Sequence, residues 1–140
     1  MLAAFSLGAE GVQIGTRFAL TEESSAHDNF KEHCLNLNEG DTKLLLKKLS
    51  PTRLVRGRFM TIIEEAEERG ASADELKELL GKGRAKKGIF EGDLQEGELE
   101  IGQIASLFRQ KQTVAEVMSE IVSDFQNGLK KLSERDAFKF

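Results

Sequence analysis

Between Gly11 and Phe18 the residues alternate. Val12, Ile14, Thr16 and Phe18 fall on one face of an extended chain, and Gln13, Gly15 and Arg17 on the other. This is the pattern of a buried β-strand, and no other feature constrains the fold as strongly. Such a strand needs neighbours on both sides and helices over its faces. Upstream, Leu2, Ala3, Ala4, Phe5 and Leu7 read as the last turns of a helix closed by Gly8. The natural reading is a helix-to-strand step of an α/β unit. The rest of the chain offers no obvious second parallel strand, so the step is expected to belong to a larger sheet. Alone, the segment would present two unpaired edges, a liability that proteins usually cover. An isolated chain is therefore expected to dimerise, swap strands or repack Gly11 to Phe18.

The remainder reads mostly as helix. Ser25 to Leu37 has Phe30, Cys34 and Leu37 at inward positions. Thr42 to Arg56 is ambiguous, because Leu44 to Leu46 and Leu49 suit a helix, whereas Pro51 and the Leu54–Val55 pair suit extended chain or a short hairpin. Phe59, Ile62, Ile63 and Ala66 follow helical spacing up to Gly70. Ser72 and Glu75 form a capping-box pattern before Leu76, Leu79 and Leu80, with Gly81 at the end. Residues 81–100 are rich in Gly and charge and read as loop, with a helical turn or two around Ala85. Thr113 and Glu116 form a second capping box. It opens an amphipathic helix with Val114, Val117, Met118, Ile121, Val122, Phe125, Leu129 and Leu132 on one face. That face is expected to pack inward, so a charge at Phe125 should break its packing. Glu134 to Phe140 read as a frayed tail.

A chain of 140 residues is enough for one domain. Its net charge of −4 argues against nucleic acid or an anionic membrane as a partner, because both need a basic field. The lone Cys34 cannot form an internal disulfide, which suits a reducing cytoplasm. No apolar run approaches the roughly 20 residues of a membrane span, and the N-terminus lacks the basic start of a signal peptide.

Few residues carry recognisable chemistry. Gly15 lets a ligand approach the backbone, and the amides, hydroxyl and guanidinium around it suit an anion. The other reading is a buried strand with an incidental glycine bulge. His27 and His33 are six residues apart and do not share a helical face with Cys34 in any zinc pattern, so no metal centre is expected. His27 reads as lying near a helix N-terminus and His33 on the solvated side. Cys34 reads as packing. The run Gly81 to Gly88 lacks the spacing of a phosphate-binding loop and reads as solvated, with a substrate phosphate contact as the sharper alternative. Glu64, Glu65, Glu67 and Glu68 read as a solvated helix face. Gly102 reads as a helix-start glycine.

The stretch from Leu7 to Phe18, with Glu22 to His27 and Asn29 to Glu32, resembles the C-terminal part of the nitronate monooxygenase family. This family includes the flavin-dependent enoyl-acyl-carrier-protein reductases of type II. Asp41–Thr42, Arg53 to Arg56, Glu91 to Asp93 and Gly102 to Ala105 follow in the family's order. The resemblance implies a parent (β/α)8 TIM barrel of the α/β class that carries FMN. It implies that residues 1–24 are the end of that barrel, with its last strand at 11–18. Residues 25–140 would be a mostly helical C-terminal region. It places Gln13, Gly15 and Thr16 at the FMN phosphate and Gly102 and Gln103 near flavin and substrate. It assigns no catalytic residue here, because the family's substrate histidine matches neither His27 nor His33. In a complete protein it implies oxidation of alkyl nitronates, or reduction of enoyl thioesters with NAD(P)H, with the chain alone inactive. The alternative is a stand-alone helical binding or assembly module. Either reading leaves apolar faces that favour self-association.

Overall fold

Leu54 and Val55 are adjacent on one strand and so point to opposite faces. A computed structural model describing residues 1–134 shows two apolar clusters meeting across that strand. Thr42–Leu45 (β1) and Thr52–Val55 (β2) form an antiparallel hairpin, with Thr42 opposite Val55 and Leu45 opposite Thr52. The hairpin alternative for this stretch therefore prevails. Pro51 cannot extend a helix, and Leu46 takes a left-handed backbone (φ 57°) that turns the chain out of β1. Leu54 packs with Leu45, Leu46, Phe59, Ile63 and Leu76. Arg58–Glu68 (α4) and Ala73–Leu80 (α5) supply the rest of that cluster. The Ser72–Glu75 capping box forms at the start of α5.

Val55 belongs to the other cluster, with Leu20, Phe30, Cys34, Leu99 and Ile101. Here Asp28–Leu35 (α3) is the principal helix. Its N-cap is His27, whose Nδ1 accepts from the Asn29 amide at 3.1 Å. Residues 99–101 run along β2: the Val55 amide donates to the Leu99 carbonyl at 2.8 Å, and Leu54 bridges Glu100. They are brought there by residues 84–98, which fold back on themselves through a π-helical turn at Lys86–Phe90. Glycines permit this crossing. A Cβ on Gly97 would overlap the backbone of Gly88, and one on Gly92 would enter the His27 ring. Arg84 holds the loop by donating to the carbonyls of Leu80 and Glu96 while lying 4.7 Å from the centre of the Phe59 ring. The basic run is thus largely spent on its own loop.

Two expectations need correction. No strand forms over residues 11–18. The chain leaves Leu2–Ser6 (α1), passes Gly8 at φ 92°, and runs unpaired to Gly15 before Thr16–Ala19 turns helical (α2). A strand exists only through its ladder, and among the described residues nothing lies beside this segment to complete one. The last helix, Val114–Ser133 (α6), forms with its capping box, but its apolar face is not covered. Val117 is buried and Phe125 meets Phe5 edge-on at 5.7 Å, whereas Met118, Val122 and Leu129 remain about half exposed. The expected frayed tail falls mostly at residues 135–140, outside the described residues.

Candidate functional site

Thr16 and Gly102 are far apart in sequence and meet in space. The Gly102 amide donates to Thr16 Oγ1 at 3.2 Å, and a Cβ on Gly102 would run into that hydroxyl oxygen. Gly102 begins a short 3-10 turn, Gln103–Leu107, as the reading of a helix-start glycine expects. The hydrophobic spacing of Ile101 and Ala105, both buried against α3, seats this turn. On the other side, Gly15 is the N-cap of α2, and a Cβ there would meet open space. The main-chain N–H groups of Gly15, Thr16 and Arg17 have no acceptor among the described residues. Gly15, Thr16 and Ala19 face Arg53, Glu100 and Gly102 across an open cleft of about 370 Å³.

The sequence-predicted residues divide accordingly. Gly15, Thr16 and Gly102 share this cleft. Gln103 opens onto a neighbouring cleft of about 770 Å³ between the hairpin and the 3-10 turn. Gln13 is exposed on the unpaired segment and lines neither cleft. Arg17, read above as part of an anion site, turns the other way. Its Nη2 donates to Gln112 and Glu120, and it lies over Phe108 at 5.3 Å, tying α2 to α6. His33 is half-buried rather than solvated, and its Nε2 is enclosed without a hydrogen-bond partner among the described residues. Cys34 is fully buried, and burial pushes its thiol up to about 12, so it is packing and not a nucleophile. Arg53 is the cleft residue that periodicity does not reveal. It stands on β2, half-buried, at the junction of both clefts.

Two raised carboxyls belong to the segment that leads into the cleft: Glu100 lines it, and buried Glu98 stands two residues before. Burial, with Glu100 beside it, pushes the Glu98 carboxyl up to about 7, and burial also raises Glu100. Between about pH 4.5 and 7 the unfolded chain has lost the Glu98 proton that the folded chain keeps. The unfolded state then binds fewer protons, so this group removes stability as pH rises through that window. Glu98→Gln should therefore be more stable than the parent at pH 8 by about 1 kcal/mol, a figure discounted for partial solvation. The gain should vanish near pH 4.5. Urea midpoints of both proteins at the two pH values check this, and a difference that does not change with pH refutes it.

The sequence profile of the nitronate monooxygenase family matches residues 1–124. The probable nitronate monooxygenase of Bacillus subtilis (strain 168) is 55% identical over 42 residues, which is 30% of this chain and 12% of that protein. The probable nitronate monooxygenase of Staphylococcus aureus (strain Newman) is 38% identical over 65 residues, covering 46% of this chain and 18% of that protein. The solved structure of FabK from Thermotoga maritima superposes with a TM-score of 0.84 at 35% identity, covering 95% of this chain and 42% of that one. A point mutant of the same protein gives 0.78 at 32% identity, covering 95% and 40%. The chain thus spans less than half the length of these relatives. No helix among the described residues is long and apolar enough to cross a membrane.

Proposed function

The chain belongs to the nitronate monooxygenase family, and from that premise we propose that it is the C-terminal part of an FMN-dependent oxidoreductase, inactive without the rest of the enzyme. The parent fold on this reading is a (β/α)8 barrel, and residues 11–15 pair as its last strand only when the other strands are beside them. The observation that carries the site assignment is the meeting of Gly15, Thr16 and Gly102 at one open cleft. Open space at Gly15 and unpaired amides at Gly15, Thr16 and Arg17 suit a phosphate group, which needs donors and close backbone approach. Gly15 and Thr16 would hold the FMN phosphate, and Gly102, packed on the Thr16 hydroxyl, would fix that residue's rotamer. FMN supplies the redox step, and the protein supplies placement and electrostatics. The substrate is an alkyl nitronate or an enoyl thioester with NAD(P)H as reductant. The Ala26 to Lys31 stretch leans toward the reductase branch.

The test compares FMN with riboflavin, which lacks the phosphate. FMN should shift the amide resonances of Gly15, Thr16 and Gly102, and riboflavin should shift them much less. Thr16→Val, which removes the hydroxyl and leaves the three main-chain amides in place, should reduce the difference without abolishing it. Equal effects of the two flavins, or shifts confined to other residues, sink the assignment. Turnover of nitronates or enoyl thioesters by the isolated chain would refute inactivity.

A second reading, a helical assembly module, draws support from the uncovered face of α6, where Met118 is 48%, Val122 45% and Leu129 52% exposed. It expects a self-associating chain indifferent to both flavins, so sedimentation velocity alongside the flavin titration separates the two.

A further inference from the structure

The larger cleft contains two guanidiniums, Arg53 and Arg109, that no carboxylate neutralises among the described residues. Each is fixed in place by one nitrogen alone. Arg53 Nη1 donates to the Thr42 carbonyl and hydroxyl at 3.3 and 3.2 Å. Arg109 Nη1 donates to the Leu35 and Leu37 carbonyls at 3.3 and 2.8 Å, capping the end of α3. A guanidinium has five N–H donors. The Nε and Nη2 donors of both side chains are left without protein acceptors among the described residues; half-buried Arg53 has no enclosed orphan atom, and Arg109 is exposed. These donors are therefore open to solvent, and both side chains line the cleft. Ser106 and Gln103 add neutral hydrogen-bonding groups on the same wall. Beside them Ile104 is 50% and Leu107 73% exposed, an apolar lip on the cleft that both cations line. The opposing charge is Glu39, which is exposed on the rim and so well screened.

Pre-fixed, uncompensated guanidiniums match the oxygens of a phosphate in a forked geometry that a lysine cannot reproduce. The apolar lip suits an organic body carried by that phosphate. We propose that the cleft between the hairpin and the 3-10 turn is a second anion site, where Arg53 and Arg109 grip the phosphate of a phosphorylated ligand whose organic body lies across Ile104 and Leu107. This site is distinct from the flavin cleft, and the proposal does not rest on the flavin reading.

The test titrates the full chain with inorganic pyrophosphate, AMP and adenosine while following amide resonances. Pyrophosphate and AMP should shift Gly40, Arg53 and Ser106, with AMP alone also shifting Ile104 and Leu107. Adenosine should bind at least about tenfold more weakly than AMP, the loss of one charge-assisted contact set. Arg53→Gln should weaken AMP about tenfold, and Arg69→Gln, a surface change on α4's far end, should leave it unchanged. Because Arg109 also caps α3, Arg109→Lys replaces outright deletion. It should keep the melting temperature and still lose several-fold in affinity, since the fork is gone. Equal binding of AMP and adenosine overturns the proposal, as does equal weakening by the Arg53 and Arg69 variants. Pyrophosphate shifts confined to Gly15 and Thr16 also overturn it, while leaving the flavin cleft intact.

Discussion

Gly97→Ala should unfold the chain or cost it more than about 3 kcal/mol, beyond the usual range for an added methyl in a packed interior. The reason is geometric. The atoms that a Cβ on Gly97 would strike are the Gly88 Cα and N and the Asp93 carbonyl oxygen, all backbone. A clash with a flexible side chain relaxes by a rotamer change, and a clash with backbone cannot. Gly88 is equally constrained from the other side, with its own Cβ position 2.9 Å from the Glu98 carbonyl carbon. The two glycines therefore let two backbone segments cross in contact. What the crossing delivers is residues 99–101 along β2 and Gly102 against Thr16. Stability of a domain this size is on the order of 5–15 kcal/mol, so the loss is a large share. Gly11→Ala is the control, because open space surrounds that position. Urea denaturation should put Gly11→Ala near the parent. A Gly97→Ala midpoint equal to the parent's would show that the crossing is looser than described.

How much of this was legible in the sequence depends on the range of the forces involved. Caps are local, and both capping boxes form where Ser72 and Thr113 announce them. The inward positions Phe30, Cys34 and Leu37 are local periodicity and are buried as read, although the helix itself is shorter than Ser25 to Leu37, spanning Asp28–Leu35, with Leu37 just past its end. His27 falls at the helix start, and its ring accepts the Asn29 amide. The misreadings concern partners. The alternation at Gly11 to Phe18 is a true strand signal, yet a strand is a relation between chains, and no partner stands beside it among the described residues. Arg17 could face a ligand or a helix, and only the position of Glu120 on α6 decides that it faces the helix. The same holds for the site. The residues themselves point to an anion at Gly15 and Thr16, and resemblance adds FMN and Gly102; their juxtaposition depends on the Gly88–Gly97 crossing, which spacing cannot reveal. Arg53 and Arg109 stayed hidden because guanidiniums are usually solvated, and their being uncompensated is a property of the folded neighbourhood.

Phe30→Ala should destabilise the chain by about 3–5 kcal/mol, whereas Phe125→Ala should cost only about 1 kcal/mol, the value of a partly exposed edge-to-face pair. The two positions look alike in sequence, since each is a phenylalanine on the apolar face of an amphipathic helix. Sequence alone made Phe125 the centre of the last helix's packing, so that a charge there should break it. In the folded chain Phe30 is 1% exposed within the cluster that also holds Leu99, Ile101 and Ala105. Phe125 is half-buried against Phe5, its one ring partner among the described residues, beside residues still open to solvent. Truncating Phe30 leaves a cavity that surrounding side chains fill only in part. Truncating Phe125 exposes the Phe5 ring at a surface that is already wet. Even Phe125→Asp should cost little more, because the carboxylate can reach water and no buried unpaired charge results. The Phe30 variant should also weaken the Thr16–Gly102 contact, because Ile101 and Ala105 flank Gly102 in the same cluster. Thermal melts rank the three variants, and amide exchange at Gly102 reports the contact. A Phe125→Asp melting shift as large as that of Phe30→Ala would mean that α6 is covered in solution, and that its apolar face is packed by a second chain.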